Sequence, residues 1–268
     1  MEKNVAGDEV MSLSFEDRKK TILKTLERDG KVQVRELAEI LQVSGETIRR
    51  DLDKLEKEGM LRKVYGGAVK EKTSSWDKPF EQRAAMNEKE KRSLCKAAAE
   101  LVEDGDSIMI GYGTTTLEIV RFLADKQNVT IITQSIPVLL LALEVFKGRI
   151  IFIGGEVERV QKSAVGPLAE RMLERLKTNK VFISASGISM SDGITDYDLD
   201  GANISRKMME RAEEVIVLAD HTKFGKTDFA YICPLVDASM IITDKSCSEE
   251  WKKILAEKEI ELLIAEDM

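Results

Sequence analysis

Apolar residues recur with a helical period over residues 15–57, then come mostly in short β-branched runs beyond residue 105. Ile22, Leu23 and Leu26 mark one face of a helix over residues 15–28, closed by Asp29-Gly30. Val34, Leu37, Ala38 and Leu41 mark a shorter helix over 33–41, and Ile48, Leu52 and Leu55, at i, i+4 and i+7, a third after Ser44. Past Gly59, apolar and basic residues alternate through Met60-Leu61-Arg62-Lys63-Val64-Tyr65 into Gly66-Gly67, which predicts a β-hairpin wing. Residues 80–103 read as one long helix or two, ending at Asp104-Gly105. Strands are then predicted over 107–110, 129–133, 150–153, 181–184, 215–219, 240–243 and 260–264. Helices over 115–124, 136–146, 167–176, 202–214 and 249–257 fill most of the gaps. Such alternation calls for a mainly parallel sheet with helices on both faces, an α/β fold.

The third helix carries the first candidate chemistry. Ser44 is placed to cap it, and Gln42-Val43-Ser44 is the short connection of a helix-turn-helix. With its apolar seam buried, Gly45, Glu46 and Thr47 open the helix, and Arg49 and Arg50 stand on its first turns. That arrangement suits a helix laid in the major groove of DNA, where guanidinium groups reach guanine or phosphate. Lys54 and the wing residues Arg62, Lys63 and Tyr65 complete the expected DNA contacts. A solvated amphipathic helix would carry the same spacing.

Charge sharpens this division. The formal net charge is −7, but residues 15–70 hold 14 Lys and Arg against 11 Asp and Glu, whereas residues 71–268 hold 26 against 34. The basic character sits on the small N-terminal domain, and the acidic remainder should avoid nucleic acid. Residues 1–14 read as a disordered arm without a secretion signal, and 71–79, containing Thr73-Ser74-Ser75-Trp76-Asp77, as a linker before a domain over 80–268. No apolar run is long enough for a membrane span, so no membrane partner is expected. Cys95, Cys233 and Cys247 are odd in number and widely spaced and read as reduced cytoplasmic thiols. With His221 the single histidine, no metal or other cofactor is expected.

The second candidate site lies in the predicted strand-end loops. Gly111-Tyr112-Gly113-Thr114-Thr115-Thr116 separates a strand from a predicted helix, where free amides, a helix end and hydroxyls would stabilise an anion. A tight strand-to-helix turn gives the same sequence. Further loops with small polar or charged groups are Thr133-Gln134-Ser135, Gly154-Gly155-Glu156, Ser163 with Gly166, Ser184-Ala185-Ser186-Gly187 and Asp220-His221-Thr222-Lys223-Phe224-Gly225. His221 reads as a capping residue, Trp76 and Trp251 as packing residues, and Met208-Met209 as core.

Over residues 15–70 the chain resembles the DeoR family of bacterial sugar-responsive regulators. The matching residues are Ile22-Leu23, Val34-Arg35-Glu36-Leu37-Ala38, Val43-Ser44, Thr47-Ile48-Arg49-Arg50-Asp51-Leu52, Leu55, Gly59 and Gly66-Gly67-Ala68. Tyr65 stands where the family often has His. The loop order over residues 80–265 resembles the family's effector domain, which is similar in fold to ribose-5-phosphate isomerase. The resemblance implies a winged helix-turn-helix on operator DNA and a phosphorylated sugar as effector. It implies that Gly113, Thr114, Thr115 and Thr116 hold the phosphate and that Lys223, with Arg206 or Lys207, adds positive charge. Gly111, Ser135, Gly155 and Ser186 complete the expected pocket, although many members carry Asp at Gly111 and Asp or Asn near Ser186.

A repressor working as a homo-oligomer, dimer or tetramer, follows as the expectation. The alternative is an aldose–ketose isomerase with an accessory DNA-binding module. That chemistry needs a general base beside the carbon acid. Asp192, Asp196, Asp198 and Asp200 are nearby acids, but Ser184-Ala185-Ser186-Gly187 stands where the isomerase has its acidic loop, and no Lys-Gly-Gly-Gly follows. A shared fold does not carry an enzyme's chemistry.

Overall fold

Local capping sets the ends of the first helices. Ser14 Oγ accepts the Asp17 amide at 3.3 Å to open α1 (Phe15–Asp29), and Gly30, in the left-handed region at φ 70°, closes it. The computed structural model describes residues 14–57, 60–69 and 80–268, and the chain divides into two compact units between Thr73 and Ser74. The expected arm (Ser14 apart), Gly59, Trp76 and the expected linker lie outside the described residues.

The first unit continues through β1 (Lys31–Gln33), α2 (Val34–Leu41), α3 (Gly45–Lys57), β2 (Arg62–Val64) and β3 (Gly67–Val69). β3 lies between β1 and β2, antiparallel to both, so the wing is anchored by a third strand that the apolar pattern did not announce. Ile22, Leu26, Leu37, Leu41, Ile48, Leu52, Leu55 and Leu61 form its core. The helical seams expected from the sequence are therefore the faces that pack.

The second unit opens with two helices, α4 (Phe80–Ala85) and α5 (Glu88–Glu100). It proceeds through β4 (Ser107–Ile110), α6 (Ile119–Phe122), β5 (Thr130–Thr133), α7 (Ile136–Val145) and β6 (Arg149–Phe152). A hairpin, β7 (Glu156–Glu158) and β8 (Ser163–Val165), leads to α8 (Gly166–Leu173) and β9 (Thr178–Ser184). Then come β10 (Gly187–Ser189), β11 (Gly193–Asp196), α9 (Leu199–Met209), β12 (Ala212–Leu218), β13 (Ala230–Cys233), β14 (Met240–Thr243), α10 (Glu249–Glu257) and β15 (Glu261–Ile264). β10, β11 and β13 form a small antiparallel sheet.

The main sheet has seven strands in the order β15-β14-β12-β9-β4-β5-β6, all parallel. Both faces are covered, and successive side chains alternate between two cores. Met109, Val181, Ile183, Val217 and Ile241 join Leu173, Ile204 and Leu255 on one face. Ile108, Ile110, Phe182, Ile216 and Ile242 join Leu94, Ile119 and Leu141 on the other. Strand order reverses between β4 and β9, and in open parallel sheets the crevice for a ligand forms there, beyond the carboxyl ends.

Two expected helices are corrected. Residues 114–118 are turns, and α6 spans four residues, where a helix over 115–124 was expected. Thr116 Oγ1 bonds back to the Gly111 carbonyl at 2.8 Å and the Cys95 thiol donates to the Thr115 carbonyl, so side chains take the groups a helix would use. The helix expected over 202–214 runs instead from Leu199 to Met209, capped by Asp198, and 212–214 belong to β12. β9 also starts at Thr178, three residues early, where it pairs with β12, and Lys180 within that added stretch sits buried against Asp106 at 2.8 Å.

Candidate DNA interface and effector site

On the first unit, Ser44 Oγ accepts the Thr47 amide at 3.1 Å and contacts Thr47 Oγ1 at 2.9 Å. Behind α3, the half-buried Arg18 holds the buried Asp51 through two bonds of 2.6 and 3.0 Å and so ties α1 to the recognition helix. Asp51 thus has a structural role that its place beside Arg50 concealed. Arg49 and Arg50 stay exposed, each facing Glu46, at 3.4 and 3.7 Å. Gly45 starts the helix at its exposed end. Lys54 lies over the Phe15 ring at 3.7 Å, on the α1 side. In the wing, the Lys63 ammonium bonds Asp53 and its amide bonds Glu56 at 2.7 Å, while Arg62 is exposed and Tyr65 fully so. The structure therefore leaves Glu46, Arg49, Arg50, Arg62 and Tyr65 presented outward, keeps Thr47 half-buried against Ser44, and draws Lys54 and Lys63 into internal contacts.

On the second unit, the expected loop residues gather at the strand reversal. The Gly111 amide donates to the Phe182 carbonyl at 2.8 Å, locking the end of β4 to β9. Gly113, at φ 124°, holds a conformation that residues with a side chain rarely adopt, and a Cβ there would also displace the Ser184 hydroxyl 2.5 Å away. Tyr112 is buried and donates to Asp196 at 2.7 Å, and Ser186 Oγ donates to the same carboxylate at 3.2 Å. Burial raises the Asp196 carboxyl to about 6 against these hydrogen bonds and those of the Tyr197 and Asp198 amides.

The cation at the centre of this cluster is Lys91, which the sequence reasoning missed. It sits on α5, inside a run of alternating charges that reads as a solvated helix face. Lys91 is buried, and its ammonium donates to Thr114 Oγ1 at 3.1 Å and to the Arg83 carbonyl. Burial lowers it to about 8; Asp220 opposes this, while the nearby charges of Lys223 and Arg83 push the same way. Arg83 donates to the Tyr197 hydroxyl and, at 2.6 Å, to Gln161. Asp220 accepts from Asn87 at 3.2 Å and caps the short turn bearing His221 and Lys223. One cation, Lys91, thus stands on Thr114, with the charges of Arg83 and Lys223 near enough to act on it, an arrangement that attracts an anion.

Other expected residues serve the frame. Thr115 and Thr116 are buried in the loop's own bonds. Ser135 caps α7 through the Val138 amide at 3.4 Å. Gly155 packs so closely that a Cβ would lie 2.5 Å from the Val165 carbonyl. Arg206 and Lys207 are a correction: neither joins the cluster. Arg206 donates to the Ile232 and Tyr231 carbonyls at 3.2 and 2.8 Å, and Lys207 pairs with Glu210 and Glu174 at 2.8 and 3.6 Å. Both lie about two turns beyond the start of α9, roughly 10 Å along its axis. His221 meets Asp244 through Nδ1 at 2.9 Å and its amide at 2.7 Å, which joins two strand-end loops. Trp251 packs on Phe224 with ring centres 5.3 Å apart, and Met208 is buried in the core.

The family pattern described as the DeoR-like helix-turn-helix domain matches residues 18–74, and that described as the DeoR C terminal sensor domain matches residues 86–245. The HTH-type transcriptional regulator IolR of Bacillus subtilis is 35% identical over 88% of this chain and 94% of that protein. This chain belongs to the DeoR family of transcriptional regulators. It is similar as well to the transcriptional repressor AccR of Agrobacterium fabrum, 34% identical over 86% of this chain and 90% of AccR. The lactose phosphotransferase system repressor of Staphylococcus aureus is 34% identical over 89% of this chain and 95% of its own length. A solved structure it resembles is ribose 5-phosphate isomerase A of Methanocaldococcus jannaschii, 20% identical with a TM-score of 0.38 over 52% of this chain and 55% of that one. As a DeoR-family protein the chain is a DNA-binding regulator with a sensor domain and not an enzyme, which sets the isomerase alternative aside. Among its described residues no helix is long and apolar enough to cross a membrane.

Proposed function

We propose that this regulator represses a sugar or polyol operon in the cytoplasm and binds its operator through α3 and the wing. In this reading it acts as a dimer or tetramer and releases DNA when a phosphorylated sugar binds its second unit. The observation that carries the effector reading is the buried Lys91 ammonium on Thr114 Oγ1 at the strand reversal, with the charges of Arg83 and Lys223 close enough to act on it. A phosphate monoester is the metabolite group best matched to several cations beside a hydroxyl-rich glycine loop. The lactose phosphotransferase system repressor and the transcriptional repressor AccR, by their names, act in the same sense.

One DNA-binding unit with a small positive charge gives limited affinity, so a symmetric operator read by paired copies supports specific binding. Exposed Leu140 and Leu143 on α7 and Leu168 and Met172 on α8 offer apolar surface for assembly.

The test is a thermal-shift screen of sugar phosphates, followed by titration of each hit into the operator complex. A ligand of the native state raises apparent stability. Lys223→Ala removes a charge-assisted contact worth roughly 1.5–3 kcal/mol, about ten- to hundredfold in ligand affinity. Operator binding without ligand is expected to survive. An unaltered ligand response in Lys223→Ala rejects this site.

A further inference from the structure

A second set of polar groups stands beside the cationic cluster without partners. Gln134 and Ser163 are 1% and 0% exposed, yet Gln134 Oε1 and Nε2 and Ser163 Oγ have no hydrogen-bond partner within the described residues. Buried polar side chains are nearly always paired, because an unmade hydrogen bond leaves the full desolvation cost. Five buried side-chain atoms are in this position among the described residues, and four belong to Gln134, Ser163 and Arg83 (the fifth is Thr243 Oγ1). The backbone places them close in the fold: Ser163 is bridged to Ser135, the residue after Gln134, and the Ala164 amide donates to the Gln134 carbonyl at 2.9 Å. Gln134 follows Thr133, the register partner of Ile110, and so stands beside Gly111 at the start of the glycine loop. Gln161, two residues before Ser163, holds Arg83 at 2.6 Å, and Arg83 in turn reaches Lys91 through its carbonyl.

We infer that Gln134 and Ser163 form the neutral end of the effector site and read adjacent hydroxyl or carbonyl groups on the carbon chain of a monophosphorylated polyol or sugar. An amide offers a donor and an acceptor, and a hydroxyl offers either, which matches an alcohol at each position. The inference rests on the phosphate reading of the Lys91–Thr114–Lys223 end and adds the other half of the ligand.

Chain length separates the two. Binding of inorganic phosphate, glycerol 3-phosphate, sorbitol 6-phosphate and unphosphorylated sorbitol to the full chain would be measured by calorimetry. The wild-type protein is expected to bind sorbitol 6-phosphate at least about tenfold more tightly than inorganic phosphate. Gln134→Met and Ser163→Ala are expected to lose that gain while holding inorganic phosphate within about twofold of wild type. Because both changes remove unpartnered polar atoms, the unliganded variants should melt no lower than wild type, which a merely structural pair would not allow. Unchanged sorbitol 6-phosphate affinity in both variants overturns this inference and leaves the phosphate end standing. A wild-type protein that binds none of the phosphate probes, or binds inorganic phosphate equally well as Lys223→Ala, overturns the phosphate end and this inference with it.

Discussion

At Lys91, burial and three neighbouring charges compete. Burial brings the ammonium down to about 8, with Lys223 and Arg83 acting the same way and Asp220 opposing. Because its folded value lies below the ordinary 10.5, the folded state holds less proton than the unfolded chain between about 8 and 10.5. The contribution of Lys91 to stability therefore rises with pH across that window. Denaturant unfolding of wild type and Lys91→Met from about pH 7 to about pH 10 should show wild type gaining on the variant, and a constant gap would contradict the burial argument. A bound phosphate dianion prefers the charged amine, so phosphate affinity should fall above about pH 8 in wild type and much less in Lys91→Met. On the first unit the decisive side chains are Arg49 and Arg50, exposed and shared by Glu46. Replacing either by Ala should weaken operator binding by about 1–3 kcal/mol, with relaxed specificity where the lost group read a base. Gel shifts at near-physiological salt that match wild type for both variants would remove α3 from the interface.

Among the elements, α3 depends on contacts at both ends of its chemistry. Ser44→Ala should cost about 1 kcal/mol by freeing the Thr47 amide. Asp51→Ala should cost more, about 2 kcal/mol, because it removes two charge-assisted bonds made by a buried carboxylate. Urea unfolding of the two variants checks that order, and an Asp51→Ala protein as stable as Ser44→Ala would show that the pair contributes little. The recognition helix was legible because its seam, cap and basic residues all lie within one short segment. The loop after β4 was legible as a candidate site and misread as structure. Three successive β-branched threonines satisfy a strand-to-helix pattern, but Thr116 and Cys95 bond its carbonyls and shorten the helix to α6.

For the molecule as a whole, charge is partitioned between the two units, with an excess of three positive charges over residues 15–70 and of eight negative charges over 71–268. Operator affinity should therefore fall steeply with salt, as binding through phosphate contacts does, while the acidic unit stays clear of DNA. The exposed leucines of α7 belong to this scale as well. Leu140→Glu with Leu143→Glu should lower the assembly state seen by sedimentation without lowering the melting temperature much, since neither side chain enters a core. An unchanged sedimentation coefficient would place the assembly surface elsewhere.

Periodicity by itself determined the helix-turn-helix, the seven strands of the parallel sheet and the strand-end loops, because each is written in residues close in sequence with a regular repeat. The glycine–threonine loop was equally local. What the tertiary structure decided was which distant side chains meet there. Lys91 lies within a charged helix face and Arg83 before it, and only the packing of α4 and α5 over the strand ends brings the Lys91 ammonium to Thr114 and the Arg83 guanidinium to Gln161 and Tyr197. The same packing turns Arg206 and Lys207 toward β13 and acidic neighbours, although their place in the sequence pointed to the ligand. Burial is the property that converts an ordinary lysine or glutamine into part of a site, and burial is settled by long-range contacts that no local repeat encodes.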